Sequence, residues 1–158
     1  MSIDLYLDIE TIPTQSDAVK REIAANITPP GNYKVEATIK AWEREQKPAI
    51  VSNAVAKTAL DGALGHVCCI GFAIGDDATQ SVMLDTERSE TDVLDEFIAA
   101  VNSALPRIEM VRVIGHNVAC VDLRFLWQRA RVLGAHMPAW LPRDANAWDR
   151  VMFDTMMD

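Results

Sequence analysis

The stretch LYLDIETIPT, residues 5–14, alternates apolar and polar side chains as far as Glu10 and reaches a proline at Pro13. The alternation covers residues 3–10, and this period of two predicts a β-strand there. One face of the strand is aliphatic and therefore suits a hydrophobic core. The other face ends in two carboxylates, Asp8 and Glu10, which project to the same side because they are two residues apart.

The composition limits the class of protein. A chain of 158 residues is long enough for one domain, and its 49% of apolar residues can form a sizeable core. A formal net charge of −8 argues against a surface that is basic throughout, as a general nucleic-acid coat would be. A local basic groove is compatible with this charge, and a carboxylate-rich metal site would contribute to it. We expect a single domain over residues 1–158.

The three cysteines, Cys68, Cys69 and Cys120, have no CxxC spacing, so the sequence predicts no zinc site. Cys68 and Cys69 are adjacent in an apolar run and should point to opposite faces of a strand. We interpret all three as small buried residues in a reducing compartment. The N-terminus lacks the basic start and apolar stretch of a signal peptide, and no apolar run is long enough to span a membrane. A cytoplasmic protein with no membrane partner is therefore expected.

Beyond the first strand, the sequence predicts alternating helices and strands. A helical excursion is predicted at 14–65, with helices at 16–26, 34–46 and 50–63. Further strands are predicted at 66–74, 80–85, 110–115 and 150–154. Two more helices begin at the capping box SETD, residues 89–92, and at residue 121. This order predicts an α/β fold with a mixed sheet and helices packed against it.

The carboxylates of the first strand indicate a metal site. Two carboxylates a few ångströms apart repel each other, and a cation between them removes that repulsion. Mg²⁺ and Mn²⁺ prefer carboxylate and water oxygens, so either ion suits Asp8 and Glu10. The alternative is that both acids simply mark the solvent face of an edge strand. The pair alone leaves both interpretations open.

A second segment, VIGHNVACVDLRFL at residues 113–126, supports the metal interpretation. It places a glycine turn, His116 and Asn117 between a predicted strand and a helix that starts near Asp122. An acid in a first helical turn is commonly a residue that stabilises the helix dipole. If this strand lies beside the first one, however, both strand ends reach one edge of the sheet. Asp122 would then face the two carboxylates of the first strand.

These two segments resemble the motifs of a known enzyme superfamily. YLDIET (6–11) and GHNVACVDLRFL (115–126) are similar to two motifs of the DEDD superfamily of 3′–5′ exonucleases, which have the ribonuclease H-like fold. GNYKVEATIKAW (31–42) and KTALDGALGHVCCIGFAIGDD (57–77) are similar to one branch of that superfamily. This branch contains predicted exonucleases related to the exonuclease domain of B-family DNA polymerase.

The resemblance implies a catalytic role for three acids. Asp8, Glu10 and Asp122 would hold two divalent cations, Mg²⁺ or Mn²⁺. Asp8 would bridge both ions, and Asp122 would hold the second. The implied reaction is metal-dependent hydrolysis of phosphodiester bonds at nucleic-acid 3′ ends, with DNA favoured over RNA as the partner.

Other residues would contact the substrate. The resemblance implies that His116 and Asn117 shape the substrate side of the site and that Thr11 lies beside the terminal nucleotide. In the helix that follows the second motif, Arg124 lies near the proposed site and is a candidate contact for phosphate. Arg129 of the same helix is expected to be solvated.

One motif of the superfamily has no counterpart in this sequence. The superfamily has a fourth acid on a helix after the last strands, with Tyr or His four residues before it. No such segment follows residues 150–154, and Asp154 stands where the superfamily has an ordinary strand residue. We therefore expect a ribonuclease H-like domain that is truncated before its last catalytic helix. Its sheet would expose apolar surface, which predicts low stability or a homodimer that covers the surface.

Two other functions stay open from the sequence. A chain that keeps the fold without the fourth acid would suit a catalytically silent module that binds nucleic acid or protein. A different Mg²⁺ phosphohydrolase would act on mononucleotides instead of polymer ends. Activity with polymeric and mononucleotide substrates separates these functions from the exonuclease.

Overall fold

A mixed five-stranded sheet forms the centre of the protein in a computed structural model, which describes residues 2–105, 110–143 and 149–156. The strands are β1 (Ser2–Ile12), β2 (His66–Ile74), β3 (Gln80–Met83), β4 (Met110–Gly115) and β5 (Met152–Asp154). Their order in the sheet is β3-β2-β1-β4-β5. β2 runs antiparallel to β1 and β3, whereas β4 runs parallel to β1 and β5. The predicted α/β fold is confirmed, and the strand order is consistent with a ribonuclease H-like exonuclease fold.

Five α-helices accompany the sheet in the described part of the chain. They are α1 (Asp17–Asn26), α2 (Glu36–Glu45), α3 (Lys47–Lys57), α4 (Glu90–Ala104) and α5 (Asp122–Leu133). The helix predicted at 50–63 begins earlier than expected, because Pro48 lies in its first turn, where a missing N–H is tolerated. It also ends earlier, and a short 3₁₀ turn, Thr58–Leu60, follows it. Within the described ranges, none of the helices has the length and apolar character needed to cross a membrane.

The hydrophobic core lies between one face of the sheet and helices α4 and α5. The aliphatic positions of β1 are buried there, as the alternation predicted: Leu5, Leu7 and Ile9. Helix α4 starts at the predicted capping box, in which the Ser89 hydroxyl accepts the Asp92 N–H and the Asp92 carboxylate accepts the Ser89 N–H. The Phe97 ring of α4 meets Phe72 of β2 edge-on, with 5.2 Å between the ring centroids.

The opposite face of the sheet carries exposed apolar side chains beside the carboxylates. Tyr6 is 45% exposed, Met83 is 59% exposed and Phe153 is 37% exposed. Strand pairing places them on the face of Asp8 and Glu10, because paired residues on neighbouring strands point to the same side. These side chains add apolar surface to the face of the carboxylates, while apolar exposure by a truncated sheet, low stability and a homodimer stay predictions.

Two of the three cysteines lie at an irregularity in the pairing of β2 with β1. Glu10 pairs with Cys69, but the next residue of β1 pairs with Val67, so Cys68 is an extra residue in β2. Cys68 and Cys69 are half-buried, and Cys120 is exposed, so the prediction that all three are buried is wrong. Burial raises the pKa of both adjacent thiols, and the charge of Glu10 raises them further. Both thiols are thus close enough to Glu10 for its charge to act on them, while the prediction that they point to opposite faces stays a prediction.

Candidate functional site

The two carboxylates of β1 lie next to each other on the exposed face of the sheet. Both side chains are open to solvent, as the alternation predicted. Asp8 pairs with Gly71 and Glu10 pairs with Cys69 on the antiparallel neighbour β2. Since Gly71 has no side chain, the surface beside Asp8 is open. This arrangement leaves the acidic pair accessible to a ligand that approaches the sheet face.

Asp122 is held against the same segment of β1. It is the first residue of α5, its side chain is only 4% exposed, and its Oδ1 accepts the backbone N–H of Ile9 at 2.9 Å. Ile9 is the residue between Asp8 and Glu10, so the structure brings the three predicted acids to one short stretch of strand. Asp122 is therefore more than a helix-dipole residue, because it joins α5 to the centre of the sheet.

The electrostatic surroundings of Asp122 oppose its ionisation. Burial raises the pKa of Asp122 to about 6, and the negative charges of Asp8 and Asp154 raise it as well. The hydrogen bond from the Ile9 N–H acts in the opposite direction but is outweighed. A buried carboxyl group beside other acids is a common feature of sites that bind cations or move protons.

The loop between β4 and α5 explains the Gly-His-Asn signal of the sequence. A Cβ on Gly115 would lie 2.7 Å from the Leu7 carbonyl oxygen, so the close approach of β4 to β1 requires glycine. Asn117 has a φ of 56°, a left-handed conformation that asparagine tolerates better than most residues. His116 is exposed, and its Nδ1 lies 3.1 Å from the Thr155 hydroxyl, beside the end of β5. The predicted substrate roles of His116 and Asn117 stay predictions.

Asp154, which the sequence analysis treated as an ordinary strand residue, is the last residue of β5 and binds this loop. Its side chain is 2% exposed. Its Oδ1 accepts the N–H of Asn117 at 2.7 Å and that of Met156 at 3.1 Å, and its Oδ2 accepts the N–H of Ala119 at 3.2 Å. One feature of the sequence could have predicted this position. Asp154 ends a strand parallel to the strand that ends at Gly115, so both residues lie at the same edge of the sheet.

A cleft of about 580 Å³ adjoins the end of β1. Its walls are the end of β1, the turn at 58–61 and the first turns of α5. Two residues with predicted substrate roles, Thr11 and Arg124, line it, and Arg124 is exposed. Leu60, 82% exposed, and Val121, 45% exposed, add apolar surface to opposite walls. The cleft thus combines apolar surface with the exposed cation of Arg124 and the exposed carboxylate of Asp61.

The turn that forms one wall of the cleft is fixed by hydrogen bonds. The Thr11 hydroxyl donates to the Ala59 carbonyl oxygen at 2.7 Å. From α5, the Gln128 side chain accepts the Gly62 N–H at 3.2 Å and the Arg129 guanidinium donates to the Gly62 carbonyl oxygen at 3.4 Å. The wall is therefore attached both to β1 and to α5.

Arg129 is buried, so the prediction that it is solvated is wrong. It is 3% exposed, and its guanidinium binds both carboxylate oxygens of Glu90, at 2.8 and 2.5 Å. Glu90 also accepts the Val67 N–H at 2.7 Å and lies 3.0 Å from Nδ1 of His66. This cluster joins α4, α5 and the start of β2. Sequence periodicity gave no signal for it, because the two partners are on different helices.

The donor atoms present suit a hard divalent cation. In the portion of the chain that the structure describes, no three or more His, Cys, Asp or Glu side chains converge as a metal-binding group. Mg²⁺, however, is commonly held by one or two carboxylates and completes its shell with water and substrate phosphates. Asp8 and Glu10 offer exposed carboxylate oxygens of that kind, while one oxygen of Asp122 is engaged by Ile9. The carboxylate chemistry fits Mg²⁺ or Mn²⁺.

Comparisons with known proteins give one distant likeness. No family model and no curated protein matches the sequence. Among solved structures, the chain is similar to the family B DNA polymerase from the hyperthermophilic archaeon Pyrobaculum calidifontis, with 17% sequence identity and a TM-score of 0.47. The match covers 90% of this chain and 12% of the polymerase, so the chain spans a small part of that protein's length. A structural similarity this low gives no information about the function of the chain.

Proposed function

We propose that this chain is a metal-dependent 3′–5′ exonuclease domain of the DEDD superfamily that hydrolyses phosphodiester bonds at nucleic-acid 3′ ends, with DNA as the preferred substrate. The observation that carries the proposal is the hydrogen bond from the Ile9 N–H to Asp122, which brings the acid of the second motif to the strand segment of Asp8 and Glu10. These acids are more than a hundred residues apart in sequence.

Asp8, Glu10 and Asp122 are the proposed holders of two Mg²⁺ or Mn²⁺ ions. When bound, the cations would activate water and stabilise the negative charge of an in-line displacement at phosphorus. Asp8 and Glu10 present accessible oxygens on the open sheet face. Asp122 is buried, so its charge lies in surroundings of low polarity, where the attraction to a cation is stronger than in water.

The cleft beside β1 is the proposed place of the terminal nucleotide. Its volume of about 580 Å³ lies in the range of small-ligand sites. Leu60 and Val121 would contact the base, and the Arg124 guanidinium would pair with a phosphate. Thr11 would fix the wall through its bond to Ala59 and lie beside the sugar. His116 and Asn117 would border the substrate from the β4–α5 loop.

Nucleotide release from 5′-labelled single-stranded DNA tests the proposal. The assay compares the wild-type chain with Asp8→Asn in Mg²⁺ and in Mn²⁺, and we expect stepwise shortening from the 3′ end only in the wild type. Asp4→Asn is the matched control, because Asp4 lies on the same face of β1 but is held by Arg112 at 2.7–2.8 Å.

Three results would contradict the proposal. Equal activity of wild type and Asp8→Asn would show that Asp8 does not hold a catalytic metal ion. Binding of DNA without cleavage in either cation would favour the silent binding module. Release of phosphate from mononucleotides, with polymers left intact, would favour a different Mg²⁺ phosphohydrolase.

A further inference from the structure

Asp154 is a buried acid that the proposed chemistry does not use. Both of its oxygens accept backbone N–H groups, two on Oδ1 and one on Oδ2. Its side chain is therefore directed into the protein and satisfied there, and it is not presented to a cation on the sheet face. A carboxylate held by several backbone N–H groups acts as an organiser of the backbone that donates them.

The backbone that Asp154 holds leads directly into α5. The N–H groups of Asn117 and Ala119 belong to the loop that ends at Val121, the residue before the helix. Val121 supplies no side-chain hydrogen bond to cap α5. The start of the helix is instead fixed by contacts on both sides of the cap: Asp154 on the loop and the Ile9 N–H on Asp122.

We infer that Asp154 is a positioning residue for Asp122: it holds the β4–α5 loop so that α5 begins where the Asp122 carboxylate meets the Ile9 N–H. The inference about position stands on the contacts alone, and its consequence for activity rests on the proposed function. A carboxylate is required because each oxygen must accept an N–H. An asparagine would turn an NH₂ group towards a backbone donor and leave that donor unpaired.

Amide hydrogen exchange on the folded protein measures this directly. In Asp154→Asn, we expect the protection of the Ile9 amide to fall at least about tenfold more than that of the core residue Leu5, because the Asp122 acceptor is displaced. The amides of Asn117 and Ala119 should lose protection as well. Equal loss at Ile9 and Leu5 would mean that Asp154 only contributes to global stability, and this would overturn the inference.

Glu90→Gln is the matched control. It is the same change of carboxylate to amide, at a buried acid whose oxygens also accept a backbone N–H and bind a second group. It should lower the protection of the Val67 amide, while Ile9 follows Leu5. Loss of Ile9 protection in this control as well would show that any buried acid has the same effect, and the inference would fail.

A milder variant keeps the test decisive if Asp154→Asn does not fold. Asp154→Glu keeps both carboxylate oxygens but moves them by one methylene, so they no longer meet the three backbone N–H groups in the same places. It should lower Ile9 protection relative to Leu5 in the same direction but by a smaller factor. Equal changes at the two amides would overturn the inference.

Activity supplies a second measurement. In Asp154→Asn, kcat should fall about 10- to 100-fold with KM within about twofold, because a displaced catalytic group slows the chemical step more than it weakens binding. Asp4→Asn, a carboxylate-to-amide change on β1 away from the β4–α5 loop, should keep the wild-type kcat per folded molecule. If the wild-type chain cleaves no substrate, the proposed function fails, and hydrogen exchange still decides the role of Asp154.

Discussion

Two buried acids, Glu90 and Asp122, have opposite electrostatic surroundings. Glu90 is paired with the buried guanidinium of Arg129 through two hydrogen bonds. Asp122 accepts the Ile9 N–H, but the charges that act on it are those of other acids. A buried charge is normally paired, because leaving it unpaired costs free energy.

The difference separates a structural acid from a candidate functional one. The Glu90 cluster ties helices to the sheet, and its charges are balanced inside the protein. At Asp122 the fold places acidic side chains together, and among the described residues no cation offsets their repulsion of the Asp122 charge. Such groups are concentrated at functional sites, where a ligand supplies the missing charge. Three predictions test this contrast.

The largest expected effect on the free energy of unfolding comes from breaking the ion pair between Arg129 and Glu90. Arg129→Met should lower the free energy of unfolding by about 3–5 kcal/mol, because it leaves the Glu90 charge buried without its cation. Urea denaturation measures the change. Arg131→Met is the matched control on the same helix, and since Arg131 is exposed, its effect should stay within about 0.5 kcal/mol. A loss below about 1 kcal/mol for Arg129→Met would show that the pair is not the main link.

Removing the charge of Asp122 should stabilise the folded protein. Asp122→Asn keeps an oxygen for the Ile9 N–H and removes a charge that the fold disfavours. At pH 7 we expect it to raise the free energy of unfolding by up to about 3 kcal/mol, which corresponds to a pKa raised from 3.8 to about 6. Nuclease activity should be lost in the same variant. Asp17→Asn, a first-turn acid of α1 that is exposed, should be slightly destabilising instead.

The pH dependence gives the same prediction a second measurement. Because the pKa of Asp122 is higher in the folded chain, the folded state binds an additional proton between pH 3.8 and about 6. The contribution of this proton to the free energy of unfolding is therefore full below the unfolded-state pKa of Asp122, and it is lost as the pH rises through about 6. Denaturation at several pH values should show this loss in the wild type and not in Asp122→Asn. If the free energy of unfolding depends on pH in the same way in both chains, the charge of Asp122 does not destabilise the folded protein.

The smallest expected effect comes from supplying the missing cation. Mg²⁺ at ten times its dissociation constant should raise the free energy of unfolding by about 1.4 kcal/mol. Thermal denaturation with and without Mg²⁺ measures it, and Asp8→Asn should show no increase. The same increase in both chains would indicate that Mg²⁺ binds elsewhere.

Local sequence patterns predicted much of the fold. The alternation of β1 and the capping box at Ser89 each depend on neighbouring residues, and both are present. Asp8 and Glu10 were placed on one exposed face for the same reason. The position of Asp122 required the additional assumption that β4 lies beside β1, which the sheet order bears out.

What the sequence did not predict depends on contacts between distant segments. Arg129 has an ordinary helical context, and only its partner on α4 explains its burial. The extra residue at Cys68 follows from how β2 meets β1, which no local pattern specifies. Asp154 acts on a loop 35 to 37 residues earlier in the chain. Long-range polar contacts of this kind have no periodic signature in the sequence.

Helix α5 supplies parts of both the acidic site and the cleft. Asp122 stands at its first turn, Arg124 lines the cleft, and Gln128 and Arg129 hold the turn at Gly62 that forms the far wall. Because these groups share one rigid axis, a small rotation or slide of α5 alters the spacing of the acids and the width of the cleft together. Rate and substrate selectivity are therefore expected to change jointly when the whole helix shifts, whereas a change confined to its first turn, as in Asp154→Asn, is expected to alter the rate alone.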